Sequence, residues 1–466
     1  MPTISWKALA AFGAVLAVLT VLPTTPAVGA QETPSDDGAA LFAGAETLDR
    51  QALVDAVLER NTSLEAARLA YRALELRVPQ VTSLDDPMLS YGFAPLSPFD
   101  SDVRFGQVIE VSQRIPYPGK LGTRGDVARA EAESARSQAQ AVGLDLALAA
   151  SRLYDDYWLV DRRTAINHEH VRLLEDFLGT ATARYSAGLV SQHVPLTAEV
   201  ELAHLKHRDV TLGTEREVVV ARLNALLHRP PRAPLPPASP ALPASTHDPL
   251  AGLSASSIEA AQELALTVRP EIAAERAAIE ARRAAVRLAD LARYPDVTVG
   301  TSYNSMWNDF SHQWMVGASV NLPIRKKRLN AQEAEAEARL GEAENRLAHM
   351  EDVIRADVRQ VYDRVLEAHH VAELYESRIL PAAHDHVEAS RVGFESNRAS
   401  FLDLIEAEKN LRSSELAYHE VLADWSRRRA ELARTLGLTP PPVPVREPEP
   451  ESKPAIPAAP AKEGAS

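Results

Sequence analysis

The chain contains one internal duplication, and this constrains its fold more than any other feature. Four pairs of segments match at offsets of 207 to 209 residues: Asn61–Arg68 with Arg269–Arg276, Pro87–Gly92 with Pro295–Gly300, Ile115-Pro116 with Leu322-Pro323, and Ser191–Glu199 with Ser400–Glu408. A period this long indicates two copies of one domain rather than a stack of short repeats.

Each copy predicts the same order of elements: a helix, two strands, a very long helix, a tight turn and a second long helix. We place the first repeat at 47–229, with a strand pair at 87–116 and long helices at 119–187 and 191–228. The second repeat, at 251–438, has its strand pair at 295–323 and long helices at 325–395 and 400–437. The fold class is therefore mostly α with a small β part.

Three low-order segments surround the repeats. A leader at 31–46 precedes the first repeat, and a connector at 230–250 carries eight prolines. The tail at 439–466 is rich in Pro, Ala and Glu, a composition that predicts an extended, disordered segment.

Residues 1–30 have the order of a secretory signal peptide. Lys7 is followed by an apolar run from Ala8 to Leu22 and by the small residues Val28-Gly29-Ala30, which predicts cleavage before Gln31. The run is too short for a transmembrane helix of about 20 residues. An uncleaved anchor is the alternative, but the sequence favours an exported chain.

Composition excludes several classes of function. The chain has no cysteine, so it forms no disulfide and no thiolate metal site, and it cannot carry a lipid on an N-terminal cysteine. A net charge of −14 makes it a poor binder of nucleic acid. It lacks a phosphate-binding loop, a nucleophile elbow and a His-Glu-x-x-His motif, so we predict neither an enzyme nor a cofactor.

The strand pairs alternate with a period of two, which predicts one apolar face. Phe105 and Ile109 lie on that face of the first pair, and Trp314 and Val316 lie on it in the second. Two soluble hairpins with one buried face are one interpretation. Strand lengths of about ten residues in an exported chain favour a membrane barrel with these four side chains facing lipid.

The long helices are also unusual. No proline interrupts Lys120–Ala187 or Arg325–Leu380, and Pro381 should kink the second long helix without ending it. At 1.5 Å per residue the first helix reaches roughly 100 Å. Apolar residues recur every seven positions in the second, at Leu340, Leu347, Ile354, Val361, Ala368 and Tyr375, and this predicts coiled-coil packing.

Four strands cannot close a membrane barrel, because open edges leave backbone groups unpaired in lipid. The missing strands must come from other copies of the chain. Two copies give about eight strands and three give about twelve, and composition does not choose between them.

Five segments carry a resemblance to a known family: Asp86–Phe93, Val111–Gly122, Ala183–Leu189, Arg222–Leu227 and Phe401–Glu408. Together they resemble the TolC-like outer-membrane factors of bacterial efflux pumps, over Thr47–Gly437. Within the second of them, Pro118–Gly122 is most similar to the heavy-metal branch of the family. This chain departs from many relatives in lacking a lipidated cysteine, and from others in having Val194 where they have an acidic residue.

The resemblance implies a homotrimer with a twelve-stranded β-barrel in the outer membrane, continued by a helical tunnel through the periplasm. It also implies docking onto a periplasmic adaptor and a proton-driven inner-membrane pump. The chain would then conduct exported substrate passively. A periplasmic or surface coiled-coil scaffold without a channel is the alternative function, and a periplasmic metal-binding protein is a third.

Asp403 and Glu406 are the candidate pore residues. They are three residues apart and therefore share a helix face. By resemblance they correspond to an acidic pair that lines the narrow periplasmic mouth, so three copies would place six carboxylates around one axis. An ordinary solvated helix face is the alternative.

The two hairpin turns are the candidate adaptor contacts. Gly188, Leu189 and Val190 form the first, and Ser400 and Phe401 form the second. Apolar side chains at an exposed tip indicate a partner surface, unless they pack against each other. The paired histidines, such as His168 with His170, are predicted to be solvated helix residues rather than metal ligands.

Overall fold

The computed structural model describes residues 41–42, 44–94, 106–239, 258–305, 313–396 and 398–438. The chain divides into two units, Met1–Gly44 and Ala45–Ser466, and the helices and strands of the described residues all lie in the second. The predicted signal peptide and tail, and the connector from 240 onward, lie outside the described residues.

Both repeats have the predicted order of elements. The first contains α1 (Arg50–Arg60), α2 (Thr62–Thr82), β1 (Met88–Ala94), β2 (Gly106–Ile115), α3 (Lys120–Ser186) and α4 (His193–Leu226). The second contains α5 (Ile258–Val268), α6 (Pro270–Leu291), β3 (Val297–Asn304), β4 (Trp314–Val320), α7 (Lys326–Leu374), α8 (Leu380–Glu395) and α9 (Phe401–Thr435).

The opening helix of each repeat differs from the prediction, because it is two helices rather than one. In the first repeat Asn61 is extended, and its side-chain oxygen accepts from the backbone N–H of Ser63 to cap α2. In the second repeat Arg269 is extended and Pro270 begins α6, as expected for a residue that precedes proline. Asn61 and Arg269 are equivalent positions of the duplication, so both repeats break at the same place.

The second long helix continues past Pro381, as predicted. A π-helical turn at Tyr375–Ile379 separates α7 from α8, and Pro381 lies in the first turn of α8. A proline ring clashes with the carbonyl four residues earlier. The wider π turn lies directly before it, where it accommodates the ring without ending the helix.

The four strands form one antiparallel sheet in the order β1-β2-β3-β4. Their lengths are 7, 10, 8 and 7 residues, so three are shorter than the predicted ten. The segments 95–105 and 306–312, which join the strands of each pair, lie outside the described residues.

The two repeats pack against each other, because α3 of the first repeat contacts both α6 and α9 of the second. Part of the predicted seven-residue pattern of α7 is buried within the second repeat: Ile354, Val361 and Ala368 belong to a core cluster with Trp425 of α9. The described part of the connector is also packed, since Tyr157 Oη donates to the carbonyl of Pro236 at 2.8 Å.

Candidate functional site

The sheet has one apolar face, and the strand register establishes it. Tyr91 lies opposite Ile109, Ile109 lies opposite Tyr303, and Tyr303 lies opposite Trp314. In an antiparallel sheet directly opposed residues point to the same side. The predicted face of Ile109, Trp314 and Val316 is therefore a single surface across all four strands. Phe105 lies outside the described residues.

This apolar face is uncovered in the single chain. Every residue of β4 is exposed, and Val316 reaches 83% exposure. Leu89, Phe93 and Trp314 are also more than half exposed. Soluble monomers rarely leave so many neighbouring large apolar side chains uncovered. The opposite face carries small and polar residues such as Ser90, Ser302 and Ser319. The sheet thus has one mostly apolar face and one mostly polar face.

The outer edges of β1 and β4 have no strand partner within the described residues. Their unpaired backbone donors and acceptors can template pairing with another chain. Charged residues and proline, which soluble proteins use to prevent such pairing, are absent from Met88–Ala94 and from Trp314–Val320. Both edges are therefore competent to pair with another chain.

A base cluster of Arg114, Tyr117, Lys120 and Asp296 joins the sheet to α3. Asp296 Oδ1 accepts from Lys120 Nζ at 2.7 Å and from the backbone N–H of Tyr117 at 3.0 Å, while Oδ2 accepts from Arg114 at 2.6 Å. The rings of Tyr117 and Tyr294 stack with their centroids 4.6 Å apart. Lys120 and Asp296 are buried, so the cluster compensates charges that would otherwise be costly. The sequence analysis used Val111–Gly122 only for the family resemblance and did not predict its contact with Asp296.

The first hairpin tip is built around Gly188, whose φ of +72° places it in the left-handed region. The N–H of Gly188 donates to the carbonyl of Tyr185 and that of Leu189 to the carbonyl of Arg184, both at 2.9 Å. These two bonds form a Schellman motif that ends α3. Leu189 follows directly and is 73% exposed, as predicted for a contact residue.

The second tip corrects the prediction for Phe401. Its side chain is only 3% exposed, because the two hairpins share an apolar tip cluster. Phe401 lies 5.4 Å from Phe394 and 6.4 Å from Phe177, measured between ring centroids. Val190 is partly buried against the same cluster. The expectation of an exposed Phe401 is wrong, and internal packing describes it instead.

Asp403 and Glu406 are both exposed. They lie on the face of α9 opposite Leu404 and Ile405, which are buried in the tip cluster. Asp403 also forms a capping box with Ser400: its carboxylate accepts from the Ser400 N–H at 2.8 Å, and its own N–H donates to Ser400 Oγ at 3.2 Å. The bond from the Ser400 backbone lowers the pKa of Asp403, so the carboxylate stays charged. The Ser-x-x-Asp spacing in the sequence predicts this cap.

One histidine departs from the prediction of solvated residues. His170 is buried, and its Nε2 lies 3.1 Å from Glu415 while its Nδ1 lies 3.8 Å from Glu408. Burial raises the pKa of Glu408, an effect that His170 partly opposes. Within the described ranges, no group of three or more His, Cys, Asp or Glu side chains could hold a metal ion. The cluster therefore links α3 to α9 without forming a metal centre.

None of the described helices is both long and apolar enough to span a membrane. Two long helical hairpins joined to a four-stranded meander with open edges define the TolC-like class of outer-membrane channel folds. The solved structure of CusC has this fold, with a TM-score of 0.71 and 17% identity over 84% of this chain and 93% of CusC. The outer membrane protein VceC of Vibrio cholerae has a TM-score of 0.67 and 18% identity over 83% of this chain and 96% of VceC.

Sequence comparison supports the predicted resemblance. Residues 261–438, which lie within the second repeat, match the family described as outer membrane efflux protein. The cobalt-zinc-cadmium resistance protein CzcC of Cupriavidus metallidurans is 25% identical over 172 residues, which cover 36% of this chain and 40% of that relative. Members of this family are channels rather than enzymes, in agreement with the prediction.

Proposed function

We propose that three copies of this chain form a channel in the outer membrane that passively conducts substrate delivered by an inner-membrane pump. The observation that carries this proposal is the uncovered apolar face on a sheet with two open edges. In lipid such a face is stable only if the edges pair, because unpaired backbone groups cost several kcal/mol each. Three copies supply twelve strands, enough for a barrel with a passage.

The helices support the same assembly. Helix α4 leaves the apolar side chains of Leu196, Val200, Val210 and Val218 exposed within the described chain. On a long helix such residues indicate contact with a neighbouring helix. Twelve long helices from three copies would surround a tunnel, and α3 alone reaches roughly 100 Å at 1.5 Å per residue. The tunnel would then extend from the outer membrane through the periplasm.

The tips complete the proposed path. Asp403 and Glu406 would ring the narrow periplasmic mouth, where six carboxylates favour cations. Leu189 would contact a periplasmic adaptor, which connects the channel to a proton-driven pump. Gly188 would serve this contact by setting the turn that exposes Leu189, and Ser400 by capping α9 beside it.

We infer that the exported substrate is a divalent metal ion. The matched relative is a cobalt-zinc-cadmium resistance protein, and the Pro118–Gly122 motif resembles the heavy-metal branch. The acidic mouth suits a cationic substrate. The ion is cargo and is not a bound cofactor of the chain.

Fractionation and conductance test the proposal. We expect the full-length chain in the outer-membrane fraction, migrating as a trimer on a denaturing gel when the sample is not boiled. Purified trimer should give discrete, cation-selective conductance steps in planar bilayers. A monomer in the soluble periplasmic fraction that gives no conductance would contradict the proposal and favour a scaffold without a channel.

A further inference from the structure

Two groups of opposite charge lie at the helical end of the sheet, one beside each open edge. Asp85 and Asp86 lie just before β1, separated from it by Pro87. The basic run Arg325–Arg328 lies at the beginning of α7, separated from the end of β4 by four residues. All six side chains are exposed, and none has an ion-pair partner within the described part of the chain. Because β1 begins and β4 ends at the helical end of the sheet, both groups lie at that end, on opposite edges.

The chain already contains one junction of this kind. Between the repeats, β2 pairs with β3, and the base cluster holds their helical ends together through Asp296, Lys120 and Arg114. The carboxylate comes from the residue beside Pro295, and the lysine comes from the first turn of the following long helix. An ion pair therefore accompanies strand pairing where one repeat meets the next.

The duplication relates this junction to the open edges. Offsets of 207 and 208 residues place β2 on β4 and Lys120 on Lys327, while Pro295 corresponds to Pro87. The position equivalent to Asp296 is Met88, so the carboxylates of the first repeat, Asp86 and Asp85, lie two and three residues before it, on the other side of Pro87. If β4 of one copy pairs with β1 of the next, the equivalent of the β2–β3 junction is formed between copies. Its basic group is then Arg325–Arg328, and its acidic group is Asp85 with Asp86.

We propose that Asp85 and Asp86 of one copy pair with the basic run Arg325–Arg328 of the neighbouring copy, and that this pairing fixes how copies join. The inference rests on the proposed channel and adds the residues that set its subunit contact. Two acidic and four basic side chains at each contact give charge complementarity, which suppresses wrong pairings more than it adds affinity. A one-residue slip of strand register would also exchange the two faces of the sheet. Ion pairs at the helical end of the strands would fix the register and prevent this slip.

Charge reversal tests the contact on the full-length chain in the outer membrane. We expect Asp85→Lys with Asp86→Lys to lower the yield of unboiled trimer at least tenfold. We expect the same of a variant in which all four basic residues, Arg325, Lys326, Lys327 and Arg328, are changed to Glu. Combining the two variants restores opposite charges and should return the yield to within about twofold of the unmodified chain. The matched control is Asp55→Lys with Glu59→Lys, two exposed carboxylates on α1, which should not change the yield.

Cross-linking tests proximity directly, because the chain has no cysteine of its own. A variant with Asp86→Cys and Lys327→Cys, treated in membranes with a short bis-maleimide, should give covalent dimers and trimers on a boiled gel. Each single-cysteine variant should remain monomeric on that gel. Within one chain β1 and β4 are three strand spacings apart, about 14 Å. An internal cross-link would leave the chain a monomer on the boiled gel, so multimers report contacts between copies.

Each outcome decides between the claims. Absence of a trimer in the unmodified chain would overturn the proposed function itself. If either reversal alone leaves a normal trimer, or if the combined variant fails to restore the trimer, only the subunit contact is overturned. If reversal of the basic run reduces membrane retention while reversal of Asp85 and Asp86 has no effect, the basic run binds lipid headgroups and the inference is wrong.

Discussion

Lys120 Nζ lies 2.7 Å from Asp296 Oδ1, although the two residues are 176 positions apart and belong to different repeats. Their ion pair joins the beginning of the longest helix to the beginning of β3. Since both groups are buried and the carboxylate has three donors, the position of the sheet on the helices is fixed at this point.

Removing one member of this pair should destabilise the protein strongly. Asp296→Ala leaves Lys120 buried without its partner, and losses of about 3–5 kcal/mol are typical of such changes. We expect a lower urea midpoint for the purified protein. The double variant Lys120→Met with Asp296→Asn should recover most of the loss, because no buried charge remains unpaired. A double variant as unstable as Asp296→Ala would contradict this explanation.

The apolar face should not tolerate charge. An arginine that faces lipid at mid-membrane costs about 2–4 kcal/mol, so Val316→Arg should reduce the amount of protein in the outer membrane. Ser319→Arg, on the polar face, should be tolerated, and Phe105→Arg should behave like Val316→Arg. Immunoblots of membrane fractions measure the yield. Equal yields for all three variants would show that the faces are assigned incorrectly.

The acidic pair at the mouth should control ion passage. Asp403→Asn with Glu406→Gln would remove six carboxylates from a trimer, while the asparagine can still accept the bond that caps α9. We expect altered conductance or reduced cation selectivity in planar bilayers. Glu337→Gln is the control, because Glu337 is exposed and charges in open solvent are screened within about 10 Å. Glu333 is less suitable, since it pairs with Arg293. Unchanged conductance and selectivity would remove Asp403 and Glu406 from the pore.

The two tips should respond differently to substitution. Leu189→Ser alters an exposed residue and should change the free energy of unfolding by less than about 0.5 kcal/mol, while abolishing adaptor capture. Phe401→Ala creates a cavity in the tip cluster and should cost about 3–5 kcal/mol. Urea titration and co-purification with the adaptor separate the two effects. Normal capture by Leu189→Ser would exclude that tip as the docking point.

Asp155 should make stability depend on pH. Burial raises its pKa to about 6, although Arg50 and Ser426 both donate to the carboxylate. An unfolded aspartate titrates near 3.9, so the folded chain holds the extra proton between these values. The contribution of Asp155 is greatest at low pH and is lost as pH rises through about 6.

The measurement compares the unmodified chain with Asp155→Asn at pH 5 and pH 7. The unmodified chain should lose about 1 kcal/mol more than the variant over this interval, because one unit of pKa corresponds to about 1.4 kcal/mol. Equal losses would mean that Asp155 remains ionised beside Arg50 throughout.

Local patterns predicted most of the fold. A period of two assigned Ile109, Trp314 and Val316 to one face correctly, since alternation is a property of the strand itself. The seven-residue pattern of α7 identified its buried side for the same reason. Two local signals were overlooked: the cap at Asn61 and the Arg269-Pro270 pair both mark helix ends that the sequence shows directly.

Burial at the tips could not be predicted in this way. Phe401 is covered by Phe177 and Phe394, which come from other helices. His170 is likewise enclosed by Glu408 and Glu415, more than 200 positions away. Only the packing of one hairpin on the other brings these groups together. The net charge of the whole chain was similarly uninformative about the local basic run at Arg325–Arg328.

The duplication also bears on stoichiometry. The two hairpin tips differ, because the first exposes Leu189 after a Schellman turn, whereas in the second Ser400 caps the beginning of α9. In the proposed ring these tips would alternate, giving six positions of two kinds. A partner that recognises Leu189 would bind three times per channel, whereas a partner that recognises only features common to both tips would bind six times. Counting bound partners would therefore reveal which repeat they recognise.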